Sequence, residues 1–302
     1  MLTVVALGGN ALMRPGERGT AAEQRANLRE TCEALRSLLD DGELVVTHGN
    51  GPQVGNELVR QERAADEVPP LPLYLAVAQT QAEIGALIES ELSAVAERPV
   101  VCVLTHVRVD DDDPAFEQPT KPVGPFYSEG QARQLESERG WAVAHDAGRG
   151  WRRVVPSPKP LGIVELAAIK TLVAAGTIAV ACGGGGIPVS SRNRRLSGLD
   201  AVIDKDRASS VLATALGAER LVIVTDVAAV SRGWGTDAQE ELRELDAASA
   251  EALLPDLATG SMGPKLEAAL AFARETGQSA LITSAGSLAK ALSGRAGTRV
   301  TP

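Results

Sequence analysis

The sequence predicts an α/β fold with an open, mainly parallel sheet. Short runs of β-branched residues alternate with longer helix-like segments along most of the 302 residues. The strand-like runs are apolar throughout, which is typical of parallel strands covered by helices on both faces. Three glycine-rich turns follow predicted strands, at the carboxyl edge where parallel sheets bind ligands.

The alternation predicts the following elements in chain order. Strands are expected at 3–7, 44–47, 100–105, 177–182, 221–225 and 280–283. Helices are expected near 21–39, 52–65, 75–96, 163–174, 206–217, 247–254 and 264–276. Thr20 and Glu23 have the spacing of a capping box, so the first helix should begin directly after Thr20.

The interval 107–160 interrupts this alternation, and we interpret it as a small subdomain inserted into a single domain of 1–302. It is rich in Pro, Gly and Trp, and its acidic run at 110–113 is expected to be a solvated loop. A helix opened by Ser128 and short strands near 141–144 and 152–155 are expected within it. Because Lys-Pro dipeptides stand at 121–122 and 159–160, the segment between them is predicted to move as a lid.

Composition excludes several classes of protein. The net charge is −9 and the isoelectric point is about 5.0, so neither nucleic acid nor an anionic membrane is an expected partner. No apolar stretch approaches the length of a membrane span, and no signal peptide is predicted. Cys32, Cys102 and Cys182 are far apart in apolar or helical runs, which indicates free thiols and a cytoplasmic location.

Lysine is the rarest charged residue, and its placement is informative. Only six of the 30 basic residues are lysine. Two of them, Lys170 and Lys290, lie in ordinary helical sequence. The other four lie in runs of Gly, Pro, Ser and Asp, namely Lys121, Lys159, Lys205 and Lys265. A lysine ammonium is a compact, mobile charge that can follow a phosphoryl group as it moves, which would explain lysine at these four positions. The alternative explanation is that their placement is chance.

The three glycine turns indicate an anion site. They are Gly8-Gly9-Asn10, His48-Gly49-Asn50-Gly51-Pro52 and the run at 183–186. Glycine allows backbone N–H groups to approach a phosphate closely, and a following helix adds partial positive charge. One such turn could reflect tight packing alone, but three at equivalent positions favour anion binding. The P-loop, dinucleotide and protein-kinase signatures are absent from the sequence.

Two further runs place lysines near helix starts. Asp204 and Asp206 flank Lys205 just before a predicted helix, so either acid could orient the lysine. The alternative is an exposed N-cap acid with a neighbouring ion pair. In the run from Gly260 to Lys265, Pro264 should put Lys265 in the first turn of a helix. A cation is unfavourable there, so its presence indicates that an anion joins it.

The histidines do not form a catalytic set in the sequence. His48 lies in a glycine turn and is expected to shape a pocket, whereas His106 and His145 are expected to be structural. No Ser/His/Asp or Cys/His pattern indicates nucleophilic catalysis.

Ordered motifs along the whole chain resemble those of carbamate kinases, in the amino acid kinase superfamily. They are ALGGNAL, THGNGPQVG at 47–55, KPVGPFYS at 121–128, PSPKP, GGGGIPV, AVIDKD at 201–206, TDV at 225–227 and GSMGPK at 260–265. The resemblance implies an eight-stranded sheet between helix layers, a protruding subdomain and a homodimer. It also implies phosphoryl transfer between ATP and carbamate with Mg²⁺, giving ADP and carbamoyl phosphate, or ATP in the catabolic direction.

The resemblance also implies roles for matching residues of this chain. A carbamate pocket would contain Gly9, Asn10, Gly49, Asn50, Gly51, Gly183 and Gly184. The catalytic set would be Lys121, Lys205, Lys265, Asp204 as organiser of the lysines, and Asn10. The nucleotide side would contain Thr225, Asp226, Met262 and Pro264, with Lys205 and Lys265. The N-terminal half would then bind carbamate and about 200–302 the nucleotide.

One departure and two alternatives stay open in the sequence. Many members have an Asp directly after TDV and a Tyr soon after it, whereas this chain has Ala228 and Ser231 at those positions. The sequence therefore leaves undecided which residues beyond Asp226 contact adenine or ribose. A sibling kinase acting on acetylglutamate or UMP is the nearest alternative, but such families usually have Lys where Asn10 stands. Loss of Lys121, Lys205 or Lys265 would favour a nucleotide sensor without activity, and all three lysines are present.

Overall fold

The computed structural model describes residues 1–14, 16–146, 150–192, 195–257 and 261–302, without the side chains of Asn10 and Arg192. Its strands are β1 (Leu2–Leu7), β2 (Glu43–His48), β3 (Val100–Cys102), β4 (His106–Arg108), β5 (Lys121–Tyr127), β6 (Ala142–Asp146), β7 (Gly150–Val155), β8 (Gly162–Ile163), β9 (Ile178–Val180), β10 (Ile187–Arg192), β11 (Arg195–Gly198), β12 (Arg220–Thr225), β13 (Val230–Arg232), β14 (Glu240–Leu242), β15 (Glu244–Leu245), β16 (Ser279–Ser284) and β17 (Thr298–Val300). Its α-helices are α1 (Ala21–Leu39), α2 (Gly51–Ala64), α3 (Leu73–Ser93), α4 (Glu129–Arg139), α5 (Leu166–Ala174), α6 (Lys205–Leu216), α7 (Ala247–Leu253), α8 (Gly263–Thr276) and α9 (Leu288–Leu292).

An eight-stranded sheet forms the centre of the molecule, in the order β15-β17-β16-β12-β1-β2-β9-β3. Every neighbouring pair is parallel except β16 and β17. All six predicted strands lie in this sheet, so the predicted α/β class is confirmed. The carboxyl ends of β1, β2, β9 and β12 therefore meet at one edge.

Helices cover both faces of this sheet because successive side chains of a strand point to opposite sides. Val4 and Ala6 of β1 pack in one core with residues of α5, α6 and α8. Val5 and Leu7 pack in the other core with residues of α1, α3 and α9. The first helix begins after Thr20, and both bonds of the predicted capping box are present.

A second sheet differs from the sequence-based prediction. The expected strand 100–105 ends at Cys102, and β4 begins at His106 in a separate four-stranded sheet, β11-β10-β4-β8. The physical reason lies at Thr105, whose backbone N–H donates to Gln81 Oε1 (2.5 Å). That bond to a side chain of α3 interrupts the hydrogen-bond ladder of the main sheet, and the next strand, β4, pairs with β10 and β8 in the second sheet.

The inserted interval contains a three-stranded antiparallel sheet, β5-β7-β6, with α4 packed on it. The predicted helix begins after Ser128 with its capping box, and the expected short strands correspond to β6 and β7. Asp110 and Asp112 of the acidic run are exposed. Movement of this region as a lid stays a prediction. Within the described part of the chain, the helices are too short or too polar to span a membrane.

Candidate active site

Three lysines from distant parts of the chain meet at the carboxyl edge of the main sheet. Lys121, the first residue of β5, donates to Asp204 Oδ2 over 2.6 Å. Lys205 Nζ donates to Asp206 Oδ1, and Lys265 Nζ lies 3.3 Å from Asp206 Oδ2. The two carboxylates therefore hold three ammonium groups together, and we call these five side chains the lysine cluster.

Helix starts explain why the cluster forms. Asp204 is the N-cap of α6, and its Oδ1 accepts from the backbone N–H groups of Asp206 (2.9 Å) and Arg207 (3.3 Å). This cap begins α6 at Lys205, slightly earlier than expected. Pro264 is the second residue of α8, so Lys265 lies in its first turn, as predicted. Arg207 donates to Glu267 over 2.7 Å and joins α6 to α8.

The cluster is electrostatically suited to an anion. Burial would raise the pKa of Asp204, but the ammonium groups of Lys121 and Lys205 and the backbone N–H of Arg207 together outweigh it and hold that pKa well below its usual range. Burial lowers the pKa of Lys205, a shift opposed by Asp206 and increased by Lys265. Three ammonium groups face two carboxylates, which leaves one positive charge uncompensated within the cluster.

The glycine turns surround this cluster. Gly49 N–H donates to the Leu7 carbonyl (3.3 Å), so the second turn lies beside the end of β1. The side chain of Lys205 passes directly against Gly49, because a Cβ there would be 3.2 Å from Lys205 Cδ. The cluster and the second glycine turn therefore form one continuous site.

Asn50 and His48 hold the third turn at 183–186. Buried Asn50 donates to Thr80 Oγ1 (3.0 Å) and packs against Gly184, where an added Cβ would lie 2.4 Å from Asn50 Nδ2. An added Cβ at Gly183 would lie 2.3 Å from His48 Nε2. These contacts leave no room for side chains at the two glycines, so backbone groups form the wall of the site.

His48 is uncharged in this environment. Complete burial lowers its pKa to about 4, although its contact with the Gly49 carbonyl opposes the shift. In the neutral ring Nδ1–H donates to that carbonyl over 3.0 Å. The other histidines lie elsewhere, His106 against Glu165 and His145 against Trp151.

A cavity of about 620 Å³ adjoins the lysine cluster. Asp226, Ser231, Trp234, Ser261 and Met262 are among its lining residues. The Ser261 carbonyl accepts a hydrogen bond from Lys265 Nζ (2.9 Å). Ser261 therefore lines the cavity and also contacts the lysine cluster. A smaller cavity of about 310 Å³ contains Asp226, Thr225 and Gly8 of the first glycine turn in its wall.

The remaining predicted positions are placed as follows. Gly9 is exposed in the short 3-10 helix Gly9–Ala11, Gly51 is the first residue of α2, and Thr225 donates to Asp226 over 2.9 Å. The side chain of Asn10 and the whole of Gly260 lie outside the described residues. Lys159, Lys170 and Lys290 are exposed.

Three residues that build the site stood outside the predicted site residues, although Asp206 had been considered as an acid that could orient Lys205. Asp206 binds both Lys205 and Lys265, although only Asp204 stood in the predicted catalytic set. Its position two residues after Asp204 was the available signal. Gln81, which donates to the Gly183 carbonyl (2.8 Å), and Thr80 come from the ordinary-looking helix α3, where no local motif marks them.

Comparisons with known proteins agree with this arrangement. The model of the amino acid kinase family matches residues 1–284. The carbamate kinases of Pyrococcus horikoshii and Haemophilus influenzae are 43% and 45% identical to the chain, with 99% and 100% of this chain and 98% and 97% of theirs covered. The structure of the Giardia lamblia carbamate kinase bound to AMP-PNP superimposes with a TM-score of 0.91 at 39% identity, over 99% of this chain and 98% of that one. The chain belongs to the amino acid kinase family and, within it, to the carbamate kinases.

Proposed function

We infer that the chain is an enzyme that transfers a phosphoryl group reversibly between ATP and carbamate, giving ADP and carbamoyl phosphate. The observation that carries this conclusion is the convergence of Lys121, Lys205 and Lys265 on Asp204 and Asp206, next to backbone-lined glycine turns. Such a cluster can neutralise a phosphoryl group that gains charge in the transition state. Neither acetylglutamate nor UMP as acceptor is favoured, because the full-length relatives are carbamate kinases.

The residues fit a reaction without a general base. Carbamate is an anion, so its oxygen can form the new bond to the γ-phosphorus directly. The bond from that phosphorus to the β,γ-bridging oxygen breaks, and the electron pair leaves with ADP. Catalysis then consists of positioning and charge neutralisation. The neutral, buried His48 is consistent with a structural role in this scheme.

We propose that carbamate lies against the glycine turns of the N-terminal half. Asn50, Gly183 and Gly184 form a small, buried wall of backbone and amide groups, which suits an acceptor that has no side chain. Gly9, Asn10, Gly49 and Gly51 are assigned to the same pocket by their place in the matching motifs. Asn10 and the three lysines, with Asp204 as their organiser, are the proposed catalytic residues.

We propose that the nucleotide occupies the cavity of about 620 Å³, with its phosphates directed to Lys205 and Lys265. The contact between Lys265 and the Ser261 carbonyl supports this orientation. Thr225, Asp226, Met262 and Pro264 are the proposed contacts, and the exposed ring of Trp234 adds an aromatic surface for the base. Ser231 lines this cavity, so the departure from the family's Tyr enlarges it at that point.

We propose that Mg²⁺ enters as part of the nucleotide substrate, bound to its phosphates and to water. The carboxylates of the cluster support this assignment, because Asp204 and Asp206 are already engaged by lysines. Mg²⁺ commonly keeps several waters and is held through substrate phosphates with few protein ligands.

We also propose a homodimer in the cytoplasm. Val101 of the edge strand β3 and the nearby Leu104 are exposed apolar residues, and they offer a surface for a second copy. Cys32, Cys102 and Cys182 are free thiols, which supports a reducing compartment.

The test is ATP formation by the purified protein from ADP and carbamoyl phosphate, followed in a coupled assay with Mg²⁺. We expect turnover with these substrates and none when N-acetylglutamyl phosphate or UDP replaces carbamoyl phosphate as the phosphoryl donor. Turnover of UMP or acetylglutamate with ATP, without ATP formation from carbamoyl phosphate, would overturn the assignment.

A further inference from the structure

Two motif glycines remain without a ligand role in the proposed function. Gly55 ends the motif at 47–55, and Gly124 lies within the motif at 121–128. Gly55 is the fifth residue of α2, although glycine is a poor residue for the interior of a helix. Both positions therefore require a structural reason.

The reason is a backbone crossing between α2 and β5. A Cβ on Gly55 would lie 2.0 Å from Gly124 Cα and 2.1 Å from Gly124 N. No side chain larger than hydrogen fits at Gly55 unless β5 moves. Gly124 itself has a φ of +76°, the left-handed region that favours glycine.

The crossing is supported on both sides of Gly124. Val123 is buried in a small core with Val54 of α2 and Val202, which lies two residues before Asp204. On the strand opposite, Arg152 Nε and Nη2 donate to the Gly124 carbonyl over 3.1 and 3.0 Å. The β5–β7 ladder shifts register between Val123 and Tyr127, so the chain bends where it meets α2.

Lys121 lies three residues before Gly124 on the same strand, and its ammonium reaches Asp204 over 2.6 Å. The inserted sheet supplies Lys121, whereas the main domain supplies Asp204. The position of β5 on α2 therefore decides whether this ammonium reaches the lysine cluster.

We propose that the Gly55–Gly124 crossing is the positioning contact that sets Lys121 in the active site. This inference rests on the proposed role of Lys121 in phosphoryl transfer. Both glycines act through Lys121 and are positioning residues, since neither is a proposed contact of a substrate.

The test is a double-mutant cycle with Gly55→Ala and Lys121→Ala in the full-length enzyme, assayed for ATP formation. A displacement of about 1 Å at a reacting centre can cost on the order of 100-fold in rate. We expect Gly55→Ala to lower kcat by about that factor and to leave the KM for ADP nearly unchanged, because other elements form the nucleotide cavity. In the Lys121→Ala background, Gly55→Ala should have no further effect on kcat.

Gly130→Ala is the matched control, because Gly130 lies in α4 of the same inserted region with open space around its Cα. It should retain wild-type kcat. If Gly55→Ala does not fold, Gly124→Ala replaces it in the cycle. An added Cβ there is 3.8 Å from Gly55 Cα, so the substitution strains β5 without a severe overlap. The same absence of a further effect with Lys121→Ala is expected.

The outcomes separate this inference from the proposed function. Wild-type kcat in Lys121→Ala would refute the role of Lys121 itself. A large loss in Lys121→Ala together with wild-type kcat in Gly55→Ala would overturn the positioning inference alone. Equal fractional losses from Gly55→Ala with and without Lys121 would also overturn it, because the glycine would then act independently of the lysine.

Discussion

The main domain and the inserted region supply cations to the site in different ways. Lys205 and Lys265 lie in the first turns of two helices of the main domain, share Asp206, and have side chains only 11% and 12% exposed. Lys121 comes from the inserted sheet, binds Asp204 instead, and is 30% exposed. The first two depend on helix caps and the Arg207–Glu267 contact, whereas the third depends on how β5 packs against α2. Two of the positive charges therefore depend on the main domain alone, whereas the third depends on the packing of the inserted sheet against it.

The largest expected effect is on kcat when a main-domain lysine is removed. Lys205→Ala and Lys265→Ala should each lower kcat on the order of 1,000-fold, because a preorganised cation is lost from the transferring phosphoryl group. Lys121→Ala should cost about 100-fold, at the lower end of the same range. Steady-state kinetics for ATP formation measure all three, and unfolding curves check that the variants remain folded. An equal loss at Lys121 and Lys205 would remove the distinction between the two regions.

Local patterns predicted the elements that depend on short-range physics. The capping box at Thr20, the strand at 221–225 and a helix with Pro264 in its first turn each depend on neighbouring residues, and each is present. The predicted site motifs gather at one edge because parallel strands end there.

Long-range pairings could not be predicted in the same way. Thr80 and Gln81 enter the site from α3 through contacts with Asn50 and Gly183, about 30 and 100 positions away in the chain. The four-stranded sheet joins β4 to β10, whose pairing depends on the whole fold. The sharing of Asp206 by two lysines follows from the packing of α6 on α8, which no single motif encodes.

Acid should destabilise the folded protein through His48, which lies in the main domain. Its folded-state pKa of about 4 lies below the ordinary value of 6.5, so the folded state binds this proton less well than the unfolded state does. The contribution of neutral His48 is fully present above about pH 6.5. It should be lost progressively as the pH falls to about 4, by a total of about 3 kcal/mol in the free energy of unfolding.

Urea unfolding between pH 7.5 and about 4 tests this expectation. His48→Asn removes the titrating ring but keeps an amide donor near the Gly49 carbonyl, so it should flatten the pH dependence of the free energy of unfolding. His145→Asn, on an exposed part of β6, is the matched control. An unchanged slope in His48→Asn would show that other groups cause the loss in acid.

At the proposed nucleotide cavity we expect a smaller effect, on KM and not on kcat. Trp234→Ala should raise the KM for ADP about 5-fold, because an aromatic contact is worth on the order of 1 kcal/mol and 1.4 kcal/mol corresponds to a factor of ten. The kcat should stay near wild type, since Trp234 lies in the cavity wall and is not one of the five residues of the lysine cluster. Trp234→Phe should keep a low KM as the control. A fall in kcat with unchanged KM would place Trp234 in the chemical step instead.

The smallest expected effect is at Lys290, which is exposed in α9. Lys290→Arg should change kcat by less than about two-fold, as is usual for surface substitutions. Lys205→Arg keeps the same formal charge but should lose most activity. The Lys205 side chain passes against Gly49 with little free space, and a planar guanidinium cannot occupy the place of a compact ammonium. Equal losses in the two arginine variants would mean that the motif lysines are not distinguished from the surface ones. A loss confined to Lys205→Arg would instead attribute the chemistry to the size and mobility of the ammonium, because both variants keep the positive charge.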